Sequence, residues 1–292
     1  MIGSALSERR GERAVLWILL GFTLLAVTGY GVFALHPERL VTPMAARFYG
    51  VSFQFFAQIH ILLAAVALGW VMVGRLGARW LPALGLVGLV SFLSEHIGTG
   101  YGVPFGSYGY TGLLGLRVGP RVPVLIPVSW FLMSLPSWVV AQRAFPTQRV
   151  RRIGLAALFL VAWDLALDPA MSFLTPYWRW ADSGSYYGMP WVNLLGWYLT
   201  GLVIMSVLDA LGVRLGLTTL PVRWMLAYYG LVLLMPLGMV AAAGLWPAVL
   251  ATVVGVGLCA FLARKGLGGR ADRERSSMEP QESSRAALVG AP

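Results

Sequence analysis

The sequence predicts an all-α polytopic membrane helix bundle of about eight transmembrane helices, with both termini cytoplasmic. Three observations carry that prediction. Of 292 residues, 58% are apolar and only 12% charged, with a mean hydropathy of +0.73, whereas a soluble domain carries roughly 25% charged residues. Apolar windows of about twenty residues, enough to cross a ~30 Å hydrocarbon layer as a helix, recur as far as Ala263. The basic residues are sorted by the loops between those windows, as in membrane proteins whose cytoplasmic loops are enriched in Lys and Arg.

In chain order the expected spans are Ala14–Leu35, Gly50–Gly74, Leu81–Val103, Val122–Ala141, Ile153–Leu174, Pro190–Gly212, Trp224–Ala243 and Leu245–Ala263. The first follows Arg9, Arg10 and Arg13 and exceeds the apolar core of a cleaved signal peptide, so it counts as a helix. Only Gly244 separates the last two, which leaves seven spans as the alternative. With eight, seventeen of the 22 Lys and Arg residues fall on the side of the termini. The other side holds Arg39, Arg47, Arg117, Arg121 and Arg179. The chain thus divides into a basic arm over 1–13, a helical domain over 14–263 and a tail over 264–292. The tail is rich in Ser, Arg, Glu and Gly, too poor in apolar residues to form a core, and expected to be disordered.

The net charge of +10 sits where it fixes topology and meets anionic headgroups, so it does not call for nucleic acid. Multi-pass insertion in the cell (inner or plasma) membrane is expected. The single cysteine, Cys259, has no disulfide partner or CxxC companion and is expected to serve packing. The loops "PFGSYGYTGLLGLRVGP" (104–120) and "TPYWRWADSGSYYGMP" (175–190) are long and aromatic, a composition suited to capping a site as well as to interfacial anchoring. Gly98, Gly102 and Gly106 have GxxxGxxxG spacing, a mark of close helix packing, with the last glycine expected beyond the helix.

Four acidic residues fall inside the spans: Glu95, Asp164, Asp168 and Asp209. Asp209 lies near a cytoplasmic helix end and reads as interfacial. The other three carry the functional argument, because an acidic side chain at the bilayer centre costs about 2.5–3.5 kcal/mol even on lenient scales and usually faces a cavity. At ~1.5 Å per residue, Glu95 lies about 21 Å, Asp164 about 16 Å and Asp168 about 22 Å from the cytoplasmic ends of their helices. Gln54, Gln58, His60 and Asn193 fall in the same slab. Asp164 and Asp168 are one turn apart on one face. Pro169 disrupts the bond to the Leu165 carbonyl, leaving an acceptor that needs another partner. His60 and His96 are single histidines on apolar helices, more readily core residues than ligands, and His96 points about 100° away from Glu95. Clustered carboxyl groups without a cation hold protons, bind a metal or transported ion, or pair with histidine. The first option supplies a general acid beside a general base.

The blocks "SEHIGTGYGVPFGSYGY" (94–110), "LGLRVGPRVPVLIPVSWF" (114–131), "DLALDPAMSFLTPYWRW" (164–180) and "YYGMPWVNLLGWYLTG" (186–201) resemble the membrane carotenoid 1′,2′-hydratases of the CruF type, over roughly residues 85 to 210. The resemblance implies addition of water across the terminal 1′,2′ double bond of an acyclic carotenoid end group, as in lycopene or γ-carotene, giving a tertiary alcohol. Relatives in this group act on anhydro precursors of bacterioruberin, so the resemblance does not name the polyene. Protonation of the less substituted carbon gives a tertiary cation that water captures, so an acid and a base suffice. No cofactor and no metal are expected; the partners are the lipophilic carotenoid, water and membrane lipid.

The expected catalytic residues are Asp164 and Asp168 as the acid–base pair, with Glu95 as a third essential carboxyl group. Asn193 is expected to position water. Tyr108, Tyr110, Trp130, Trp163, Trp178 and Trp197 are candidates to offer π faces to the cation, with His96 and His60 as further candidates around the substrate. Two rival readings remain. A membrane prenyltransferase would hold Mg²⁺-diphosphate on paired acidic clusters with basic residues nearby, but here there is one DxxxD, and Lys265 is the only lysine. A proton-coupled transporter also buries unpaired carboxyl groups, but no repeat relates the two halves.

Overall fold

The computed structural model describes residues 2–181 and 183–289, with side chains over 10–181 and 183–268. Among these residues eight helices are long and apolar enough to cross a membrane. They are α1 (Ile2–Gly29), α2 (Pro43–Leu76), α3 (Leu81–Tyr101), α4 (Leu125–Ala144), α5 (Arg149–Asp168), α6 (Val192–Gly212), α7 (Val222–Ala242) and α8 (Trp246–Val289). Gly244 separates α7 from α8 with a φ of +72°, a conformation glycine adopts without the Cβ penalty, so the eight-span count holds over seven. The apolar part of α8 ends at Gly268. The tail expected to be disordered falls largely on 269–292, whose side chains lie outside the described residues.

Local sequence sets the helix ends. Thr42 caps α2, its hydroxyl accepting the Ala45 N–H at 3.1 Å, and Pro43 takes the first turn, where no amide donor is needed. Both α1 and α5 end in a wide π turn, at Tyr30–Ala34 and Pro169–Phe173 respectively. Such turns recur at functional sites, and each of these borders a cavity described below.

Helix α4 lies at the centre, touching α2, α3, α5, α6, α7 and α8, while α1 leans on α2 and α7. Trp130, Trp138, Phe131, Met133 and Leu135 of α4 are fully buried. By contrast α1 and α8 turn Trp17, Leu25, Leu250 and Phe261 outward, the apolar surface a lipid-facing helix needs.

Two short antiparallel ribbons cap one end of the bundle. Strand β1 (Tyr108–Tyr110) pairs with β4 (Trp178–Trp180), and β2 (Arg117–Val118) with β3 (Val122–Pro123). The β1–β4 register sets Tyr108 opposite Trp180 and Tyr110 opposite Trp178. It ties the 104–120 loop to the 175–190 loop, as expected for two loops on one side. The Gly98, Gly102, Gly106 spacing serves this cap and not a helix pair, correcting the packing expectation. Gly102 ends α3 at φ +73° and Gly106 lies beyond the helix at φ +99°. A Cβ on Gly98 would come within 2.7 Å of the Phe105 ring of the returning loop.

Asp209, expected to be interfacial, has a side chain 6% exposed that pairs with Arg152 at 2.5 Å and Arg149 at 3.1 Å, because the start of α5 and the end of α6 lie together. Cys259 is buried and unpaired.

Candidate active site

The cap and the bundle enclose a cavity of about 90 Å³ whose wall includes Glu95, Asp168, Asn193 and His60 among Phe105, Tyr108, Tyr110, Trp130, Trp163, Trp178, Trp180 and Trp197. No Lys or Arg lines it among the described residues. Successive side chains of a strand point to opposite faces, so Tyr108 and Tyr110 share one face of β1 and Trp178 and Trp180 share one face of β4. That alternation delivers four rings to one cavity. The intervening Arg179 is exposed.

Glu95, on α3, is 4% exposed and is met only by donors. Tyr110 donates to Oε2 at 2.7 Å, Tyr108 donates to the same oxygen, and Trp130 Nε1 donates to Oε1 at 2.9 Å. Burial first, and the Glu95 charge second, push both phenols well above their usual range, so they stay protonated as donors. Asp168 at the end of α5 has four donors. Ser172 (2.7 Å) and Trp180 Nε1 (3.0 Å) reach Oδ1; Trp178 Nε1 (3.3 Å) and Asn193 Nδ2 (3.4 Å) reach Oδ2. The Glu95 set complements an acceptor-only carboxylate.

Asp164 differs. It is wholly buried, takes the same Asn193 amide on Oδ2 at 2.9 Å, and its Oδ1 has no hydrogen-bond partner. It does not line the cavity. Four residues at about 100° each overshoot a full turn by about 40°, consistent with one aspartate facing the cavity and its neighbour lying behind Asn193. The two carboxyl centres meet through an aromatic contact, Tyr108 against Trp180 at 5.1 Å between ring centroids.

Of the other expected residues, Trp130 and Trp197 stack at 4.2 Å, and Trp163 meets Trp197 edge-on at 5.7 Å. His60 reaches the cavity wall but bonds Thr23 of α1 at 3.1 Å. His96 is not brought to the cavity; it stacks on Phe92 with centroids 5.7 Å apart, one residue round the helix from Glu95. Gln58 is spent on the Leu113 carbonyl at 3.1 Å. The acceptor freed by Pro169 finds an internal partner, since the Tyr186 hydroxyl donates to the Leu165 carbonyl at 2.7 Å.

Trp180, Ser172 and Phe105 join the site without having been expected there. For Trp180 the signal was available in "YGY" and "WRW", two period-2 patterns that read as strands. Among the described residues no three His, Cys, Asp or Glu side chains converge as a metal site requires.

Comparison with known proteins finds a relative and a family. The chain is 30% identical over 208 residues to bisanhydrobacterioruberin hydratase of Haloarcula japonica, an alignment covering 70% of this chain and 65% of the relative, so just under two thirds of that protein's length is spanned. No solved structure matches. The family model described as "Carotenoid biosynthesis protein" matches residues 56–258, which include Glu95, Asp164, Asp168, Asn193 and the aromatic cap. The chain belongs to the carotenoid biosynthesis protein family.

Proposed function

We propose that the protein is a carotenoid hydratase of the cell membrane that adds water across the terminal 1′,2′ double bond of an acyclic end group. The observation that carries this reading is the pair of carboxyl groups, Asp168 and Glu95, in the wall of a cavity otherwise lined mainly by aromatic and apolar side chains. The hydratase named among the relatives supports the reaction class.

Asp164 and Asp168 share one amide and have no cation beside them among the described residues, and two carboxyl groups so placed hold a proton between them. Asp168, the member facing the cavity, delivers it to the less substituted alkene carbon. The alkene π electrons form the new C–H bond, and the positive charge falls on the tertiary carbon. The indole and phenol rings around the cavity stabilise that charge. Water attacks the cation, and Glu95, held as an acceptor by three donors, takes the water's proton. Proton exchange with solvent restores the starting state. The net change is alkene plus water to tertiary alcohol, and each step uses this chain's own side chains.

The test is expression in cells that accumulate lycopene, followed by mass spectrometry of the pigments. A product heavier by one water is expected. Prenyl-sized increments would instead indicate a transferase, and unchanged pigment would count against hydration of this substrate and leave transport as the rival.

A further inference from the structure

A second cavity, about 360 Å³, lies between α1, its π turn, the start of α2, and α7. Its wall is almost wholly apolar, with Phe53 and Phe56 on one side and Met239 on another. The cavity that holds the carboxyl groups has room for an end group and a water, not for the long polyene behind it.

The two cavities adjoin. Met235 of α7 lines both. Along α2 the lining passes from Ala45, Phe53 and Phe56 in the second cavity to Ala57, His60 and Ala64 in the first, about 28 Å of helix at ~1.5 Å per residue. That approaches the ~30 Å thickness of a hydrocarbon layer. Leu25, Phe33 and Phe48 line the second cavity and are also exposed on the bundle surface, which opens it sideways toward lipid. The junction residue is methionine, whose three rotatable bonds let it yield to a rod-like chain.

We infer that the second cavity is the polyene subsite and the route of lateral access: the substrate slides in from lipid between α1 and α2, end group first, past Met235. This rests on the proposed carotenoid substrate, but not on the hydration chemistry.

Gly29 gives the test. It lines this cavity, and a Cβ added there meets no heavy atom within 4 Å, so the side chain of Gly29→Leu starts in open space at the cavity wall. Ala45→Leu fills it from the opposite wall, and Val51→Leu on the exposed face of α2 is the control. The full chain in detergent is titrated with lycopene, read by induced circular dichroism of the polyene. Hydration is then measured on lycopene and on a short acyclic isoprenoid of three prenyl units with the same terminal alkene. Gly29→Leu and Ala45→Leu are expected to weaken lycopene binding and raise its KM about tenfold, with the short substrate and the control unaffected. Unchanged lycopene binding in both filled variants would overturn the subsite, as would equal losses on long and short substrates. Lost binding in the variants together with no hydration by the parent chain would keep the subsite and remove the hydration reading.

Discussion

Replacing Glu95 by glutamine separates the two halves of the proposed reaction. Tyr108 and Tyr110 donate to Oε2, and Trp130 donates to Oε1. In Glu95→Gln the new amide keeps its oxygen for the two phenols and turns its NH₂ toward the indole N–H, so donor faces donor at one bond of the three. Leaving a buried donor unpaired costs about 1–3 kcal/mol, so the variant is expected to fold and insert with a lowered thermal midpoint. Its amide cannot take a proton from water. General base catalysis contributes about 10²–10⁴-fold, and hydration is expected to fall by that factor. The Asp164–Asp168 pair is intact, so the alkene is still protonated, and the cation returns by losing a proton. In D₂O the recovered substrate is therefore expected to gain deuterium without gaining water, read by mass spectrometry. Asp168→Asn should abolish both hydration and exchange. Exchange lost in Glu95→Gln and retained in Asp168→Asn would refute the assignment of roles.

Three further outcomes test the surroundings of the site. Tyr186→Phe removes the donor to the Leu165 carbonyl and is expected to cost about 1–3 kcal/mol of stability, seen as a lower midpoint in thermal unfolding in detergent; an unchanged midpoint would mean that water replaces the hydroxyl. Asp209→Asn leaves Arg152 buried without its ion-pair partner and is expected to destabilise by about 3 kcal/mol, while the rate per folded molecule stays at the parent value; a lower rate in the folded fraction would place this pair in the reaction. Single cysteines in the 104–121 loop and in the tail, in a Cys259→Ala background, are expected to react with a membrane-impermeant maleimide from opposite sides of the membrane, and labelling of both from one side would break the eight-span threading.

The helical part of this fold was legible because its signals are local: apolar length, the basic residues between windows, and the break at Gly244. The three acidic residues were legible for a related reason, since depth along a helix is set by residue count alone. Azimuth is harder. Asp164 and Asp168 were expected to face one cavity as an acid–base pair from their i, i+4 spacing, but only Asp168 reaches the cavity, because the rotation of α5 is fixed by packing against α4, α6 and α8. His96 illustrates the same point in reverse: its 100° offset from Glu95 was readable, and it stacks on Phe92 away from the wall. The β1–β4 pairing joins residues some seventy positions apart, so no window along the sequence contains it, and composition alone left Trp180 as readable as an interfacial anchor as part of a cap.

That ambiguity points to how the site works. An interfacial tryptophan and a site tryptophan both need one apolar face and one hydrogen-bond acceptor for the indole N–H. At a membrane surface the acceptor is water or a headgroup; here it is Asp168 for Trp178 and Trp180 and Glu95 for Trp130. Each indole therefore does two things at once, holding a carboxyl oxygen in place and offering a π face to the cavity where the cation would form. A phenylalanine would keep the face and release the carboxylate. A lysine or arginine would hold the carboxylate more strongly and repel the cation. Aromatic donors meet both demands without bringing a fixed positive charge to the site, which accounts for carboxyl groups buried at membrane depth among indoles and phenols, with no basic residue lining the cavity among the described residues.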